Sequence, residues 1–508
     1  MKIELIKKTG VKDSVSVDGI KLHSAYSPDK EAERFVRSLE CSFNPSYVLV
    51  TGPALSYCAE YLRERFPASR LCCVRYDRFF CDYDEVWDKS FFCDLKSPVP
   101  LSQQIYSYMG EDGLSTCLFA SWKPSEQVFP DAYEYTWNEI KSALMKSRTV
   151  LTTMTYFAKR WTKNSIRFCL FSRKNAYIQK GSAPVVICAS GPSLESSIPM
   201  LIENRATFFL IAVSSAVKPL IERNVIPDLI ISTDGGYWAK QHLSFAMKND
   251  YDIPVALPLE AACYGQIFNQ TVIPLSYGDG CGEDLLRECG YIQTKAKRNG
   301  TVSGTAASLA MDITDGNVFF CGLDLAPSKS FCHTQPNELE ETNSAGDFRL
   351  STKETRLAPG SFPSVALNTY RDWFRSEDFG GRMFRLSDGY KYSNSLGRNP
   401  DVDWNFFRKI NGEKLPKPNL VFKEQEFNLE ERRKFLLDVI KRHLDDNEWI
   451  RNVLPSEYIV WERNRGTVNE ADSEKKIRSK MADFYGELEA YLGNPNAGST
   501  CTFVNLHA

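Results

Sequence analysis

The run Cys188-Ala189-Ser190-Gly191-Pro192-Ser193-Leu194 directly follows the apolar stretch Pro184-Val185-Val186-Ile187. That order reads as a buried strand, a tight Gly-Pro turn and the start of a helix. Such a turn, with Gly at its bend and Ser at the helix start, presents backbone N–H groups to an anion, and nucleotide phosphates are the usual guest. It therefore predicts a nucleotide or nucleotide-sugar site near the middle of the chain. The surrounding sequence repeats the pattern. Strands are predicted at Val185–Ala189, Phe208–Val213, Leu229–Thr233, Val255–Leu259 and Val318–Cys321, and helices near 194–203, 215–224, 283–289 and 303–313. Short apolar strands alternating with helices predict a doubly wound parallel sheet.

A chain of 508 residues exceeds one ordinary core. Three α/β-class parts are expected: a Rossmann-like domain over 1–135, a central doubly wound domain over 136–395 with its preceding helices, and a linker plus helical domain over 396–508. In the first part, Tyr47–Thr51 and Arg70–Asp77 read as strands around a Gly52-Pro53-Ala54 turn. One glycine there falls short of a dinucleotide fingerprint, so that turn reads as structural. Around 137–175 the pattern is helical. Segment 325–365 reads as a long polar loop, and Gly397 to Asn419 as a linker. Beyond it Leu436, Leu437, Ile440 and Leu444, then Ile477, Met481, Phe484, Leu488 and Leu492, recur at helical spacing and read as intramolecular core.

A net charge of -2 gives no pull toward nucleic acid or an anionic membrane. No stretch reads as a bilayer span, and Met1–Lys8 is too charged for a signal peptide, so a cytoplasmic protein is expected. The 15 cysteines lack paired zinc spacings and read as reduced, buried small hydrophobes. No metal site is expected.

The candidate chemistry gathers at strand ends and helix starts, the edge where open α/β sheets bind ligands. Ser190, Gly191, Pro192 and Ser193 form the first turn, with Ser193 the expected N-cap. Ser214 and Ser215 supply hydroxyls at the second. Asp234, before Gly235-Gly236, offers a carboxylate for a ribose, a sugar hydroxyl or a metal. Asn299–Thr305, containing Ser303 and Gly304, opens a helix of small residues. Asp324 follows a buried strand, and His333 comes soon after it as the best-placed base near neutral pH.

The pairing of Gly191-Pro192-Ser193-Leu194 with Ile226–Asp234 resembles the motility-associated factor (Maf) family of flagellin glycosyltransferases. So does the order Val302-Ser303-Gly304-Thr305, Gly322-Leu323-Asp324-Leu325-Ala326, His333. Leu22-His23-Ser24-Ala25-Tyr26-Ser27-Pro28 and Glu31-Ala32-Glu33-Arg34 are similar to the N-terminal domain of that family. The middle part is also similar to bacterial sialyltransferases that use CMP-sialic acid. The resemblance implies transfer of a nonulosonic, sialic-acid-like sugar from a CMP donor to Ser or Thr of flagellin. It places Ser190, Gly191, Pro192, Ser193 and Ser214 or Ser215 at the nucleotide, Ser303 and Gly304 near the phosphate, and His333 as base with Asp324 in the catalytic set. Ser190 stands where the sialyltransferases carry Asn, and Ala326 where they carry a supporting Tyr. No cofactor beyond the CMP-sugar donor is implied, with Mg²⁺ left open. Two other readings stand beside this one. One is a 6-hydroxymethylpterin diphosphokinase-like enzyme, needing ATP, Mg²⁺ and a carboxylate such as Asp234. The other is a non-catalytic flagellar binding protein.

Overall fold

Alternation within Tyr47–Thr51 sends Val48 and Val50 to one face of a strand, where they pack with Ala59 and Leu62, and Leu49 to the other, with Ile105 and Met109. A strand apolar on both faces belongs inside a covered parallel sheet, and the computed structural model places it there. It describes residues 2–8, 11–97, 99–248, 251–325, 333–339, 365–387, 395–411, 414–424 and 428–493.

The chain forms two units. The first comprises Met1–Ala158 with Leu444–Phe484, and the second Lys159–His443 with Tyr485–Ala508. In the first, β1 (Ile3–Lys8), β2 (Val11–Val17) and β3 (Ile20–Lys21) form an antiparallel meander. β4 (Tyr47–Thr51), β5 (Arg70–Arg75), β6 (Lys89–Phe92) and β7 (Cys117–Ser121) form a parallel sheet in the order β6-β5-β4-β7. The second unit holds β8 (Lys174–Gln179), β9 (Val185–Cys188), β10 (Phe209–Val213), β11 (Leu229–Ile231), β12 (Val255–Pro258), β13 (Thr271–Ser276), β14 (Thr294–Lys295), β15 (Val318–Cys321), β16 (Met383–Leu386), β17 (Asp401–Val402) and β18 (Asn419–Glu424). Their order is β17-β16-β15-β9-β10-β11-β12-β13-β8-β18, with β14 paired to β13. Every pairing is parallel except that of β18 with β8. The α/β class, the parallel sheets and the helical C-terminal segment agree with the sequence reading.

The two units divide at three places in the chain: within the helix Pro130–Phe171, just after the helix Leu429–Arg442, and within the helix Glu470–Gly493. The helical segment is shared between the two units. Asn44 Nδ2 donates to the Arg465 carbonyl at 2.9 Å and Arg451 pairs with Asp112, both within the first unit. β18 instead extends the central sheet. The expected linker carries β17 and the helix Trp404–Ile410, anchored by buried Trp404 and Phe407. The stripe Ile477, Met481, Phe484, Leu488 and Leu492 is buried, as core. Cys72, Cys73, Cys188 and Cys321 are buried free thiols, and burial raises the Cys188 thiol well above its usual range. Among the described residues, no helix is long and apolar enough to cross a membrane.

Candidate functional site

In the central sheet the chain leaves β9 toward β10, β11, β12 and β13, then returns on the other flank to β15, β16 and β17. The reversal lies between β9 and β15, where Cys188 pairs with Cys321. The C-terminal edge at such a reversal opens a crevice, because the loops on either side run in opposite directions.

Two glycines let those loops meet. Ala189 N–H donates to the Cys321 carbonyl and Gly191 N–H to the Gly322 carbonyl, both at 2.8 Å. Gly322 has φ +70°, and a Cβ there would lie 2.2 Å from the Ala189 oxygen. A Cβ on Gly191 would lie 2.4 Å from the Gly322 oxygen and 2.6 Å from Asp324 Oδ2. Asp324 is 3% exposed, and its Oδ2 accepts from Ser193 N–H at 2.9 Å. Ser193 is thus not capped by its own hydroxyl, which makes no capping bond. The carboxylate of Asp324 takes that place at the start of the helix Leu194–Asn204.

This corrects the reading of the turn as an open N–H cradle. Pro192 has no donor, Ser193 N–H is taken by Asp324, and the Leu194 and Glu195 amides donate to the Gly191 and Pro192 carbonyls. The chain brings its own anion to this turn, and a fixed carboxylate disfavours a phosphate on the same amides. What the turn offers is hydroxyl groups. Ser215 Oγ donates to Ser190 Oγ at 2.8 Å, tying the loop after β10 to the loop after β9. Ser214 is buried beside Ser215 in the short 3-10 turn Ser214–Ala216.

Residues 333–339 run as a strap across three successive strand ends. Thr334 N–H donates to the Ser190 carbonyl at 2.7 Å and its hydroxyl to the Gly191 carbonyl at 2.6 Å, above β9. Asn337 Nδ2 donates to the Ser215 carbonyl at 3.3 Å, above β10. Glu338 Oε2 lies 3.0 Å from Nδ1 of His242, on the helix Tyr237–Lys248 that follows β11. His333 is half-buried at the head of this strap. Ala326, and most of the expected 325–365 loop, lie outside the described residues.

Asp234 is exposed, with Oδ1 accepting from Gly236 N–H at 2.8 Å in the turn after β11. Gly235 packs so closely that a Cβ would lie 2.5 Å from Trp161 Nε1. Ser303 and Gly304 lie in the first turn of the helix Val302–Ile313, which packs against β9, β10 and β15. The N-cap is Thr301, whose hydroxyl accepts from Gly304 N–H at 2.8 Å. Buried Ala306, Ala307 and Ala310 allow that helix to lie close to the sheet. The Val302 and Ser303 amides precede the first intrahelical bond, so they are donors that a helix start directs toward an anion.

The structure therefore gathers Ser190, Gly191, Pro192, Ser193, Ser214, Ser215, Asp324 and His333 around one reversal, with Asp234 at the end of β11. Sequence reasoning missed Thr301, Thr334, Asn337 and the His242–Glu338 pair. Thr301 carried a local signal as a Thr before a helix of small residues. The others meet only through the fold.

A family model described as 6-hydroxymethylpterin diphosphokinase MptE-like matches residues 130–330. An uncharacterized protein of Treponema pallidum (strain Nichols) is 30% identical over 278 residues, which is 54% of this chain and 60% of that protein's length. A solved structure described as a MAf glycosyltransferase from Magnetospirillum magneticum AMB-1 is 12% identical, with a TM-score of 0.56, covering 96% of this chain and 92% of that one. The resemblance expected from the sequence is borne out in the fold and in the match of the central part.

Proposed function

We propose that this protein is a glycosyltransferase that moves a nonulosonic sugar from a CMP donor to a Ser or Thr hydroxyl of flagellin. The observation that carries the reading is the β9–β15 reversal lined by Ser190, Ser193, Ser215 and Thr334, in a chain whose fold is that of a Maf glycosyltransferase. The hydroxyls suit a ribose and a pyrimidine edge, which need donors and acceptors together. The phosphate fits the Val302–Gly304 helix start, where Ser303 adds a hydroxyl to backbone amides and the dipole favours negative charge. There the site would stabilise the departing CMP. Asp324 acts as a positioning residue that fixes the turn beneath the nucleotide.

The test is to incubate the protein with flagellin and CMP-nonulosonates and weigh the flagellin by mass spectrometry. A gain of one nonulosonate mass per site is expected, and no gain with any such donor overturns the reading. The match to the diphosphokinase-like model favours a second reading, transfer of pyrophosphate from ATP to a pterin alcohol. Asp234, exposed at the β11 end, is its candidate metal-side carboxylate. Pyrophosphoryl-pterin formation would establish that reading, whereas CMP binding without turnover would mark a binding protein.

A further inference from the structure

We propose that His242, oriented by Glu338, takes the proton from the acceptor hydroxyl; the inference rests on the transferase reading above. His242 is 8% exposed, and its Nδ1 lies 3.0 Å from Glu338 Oε2. A carboxylate at that distance fixes the tautomer, because Nδ1 carries the hydrogen and donates it. Nε2 is then left as the basic lone pair. Nε2 makes no hydrogen bond among the described residues. Both side chains are largely removed from water, 10% and 14% exposed, so the pair is held without competition from solvent. Lys218, on the helix Val217–Ile221 packed against this one, lies 5.9 Å above the Phe245 ring.

Position separates His242 from His333. His333 precedes Thr334, which bonds to Gly191, so it stands at the nucleotide end of the strap. Glu338 is four residues beyond Thr334, a reach of at most about 13 Å of extended chain. Glu338 follows Asn337, which bonds to the Ser215 carbonyl above β10, so His242 stands one strand further along the edge from the Ser190–Ser193 turn, on the side we assign to the sugar and the acceptor. The step balances as a substitution. The hydroxyl proton passes to His242 Nε2, and the oxygen's electron pair forms the bond to the anomeric carbon. The bond from that carbon to the phosphate oxygen breaks, its pair leaving on CMP.

The experiment uses the full chain, flagellin and a CMP-nonulosonate, with CMP affinity measured by calorimetry. His242→Ala should lower kcat by about 100-fold or more and leave CMP affinity within about threefold. His242→Asn keeps a donor toward Glu338 and should show the same kinetic loss, which guards against a folding defect in the Ala variant. Glu338→Gln should lower kcat by about tenfold and leave CMP affinity within about threefold, because its amide still meets the imidazole but no longer fixes Nδ1 as the donor. His333→Ala should keep kcat within about tenfold. A His242→Asn variant with wild-type kcat overturns the proposal, as does a loss in His333→Ala as large as that in His242→Asn. Loss of CMP binding and stability together in both His242 variants also overturns it, leaving the pair as a latch for the strap. Absence of transfer by the unaltered protein fails the transferase reading itself.

Discussion

Two strand-Gly-Pro turns of this chain share a topology and differ in what fills them. In the first unit the chain runs from β4 out to β5 and β6, then returns beyond β4 to β7. The Gly52-Pro53-Ala54 turn therefore sits at a reversal, like Gly191-Pro192-Ser193. There the crevice is closed by side chains. His23 Nε2 accepts from Leu55 N–H at 3.1 Å, and the His23 ring lies 5.1 Å from that of Trp122. Ser125 Oγ donates to the Gly52 carbonyl at 2.6 Å, and the buried Arg75 guanidinium donates to the Ala54 carbonyl at 2.7 Å. In the second unit the corresponding space is bordered by hydroxyls and crossed by a strap. Topology offers a reversal in both units; large aromatic and basic side chains convert one into core, and small polar ones border the other, where we place the ligand.

Four substitutions sharpen that contrast. Gly322→Ala combines left-handed strain with a Cβ 2.2 Å from a backbone oxygen, and should destabilise the second unit by about 3 kcal/mol. Gly52→Ala, at φ +60°, meets the Tyr76 and Ser125 side chains at 2.6 and 2.8 Å rather than a backbone oxygen, and should cost less. Denaturation curves of both variants test the order, which equal midpoints would refute. Next is His23→Gln. Burial lowers the His23 pKa below 6.5, partly offset by Glu31. The unfolded chain therefore takes up a proton first, and stability held above pH 6.5 is lost as pH falls below it. Peptide-resolved hydrogen exchange should show β4 and β5 losing protection between about pH 6.5 and 5. His23→Gln should cost about 1 kcal/mol at neutral pH and flatten that dependence. An unchanged slope would remove His23 from the account. The smallest effect is Ser215→Ala, which removes one hydroxyl pair and should weaken CMP binding only a few-fold, read by calorimetry. A hundredfold loss would mean that Ser215 contacts the nucleotide directly.

The central sheet was legible where strands are buried on both faces. Val185–Cys188, Phe209–Val213 and Val318–Cys321 are continuous apolar runs, and all are fully buried. Strands toward the two ends of the sheet were not: β18 alternates, with Phe422 exposed, and β16 carries the charged but buried Arg385, which pairs with Asp401. The hydroxyl and glycine turns of the site were also legible, because turn chemistry is local. Their connections were not. Ser193 is capped from Asp324 across 131 residues, and His242 meets Glu338 across 96. No periodicity or spacing encodes such pairs, since only the order of strands in the sheet brings them together.

The same separation has a consequence during synthesis. β9 gains β10 on one flank soon after it is made, whereas β15 on its other flank follows about 130 residues later. At ribosomal rates that is on the order of ten seconds. Through that interval the strand Val185–Cys188 presents an unpaired, wholly apolar edge, the kind that templates association with other chains. The crevice between β9 and β15 is therefore among the last parts of the sheet to form, and it closes the edge most prone to mispairing.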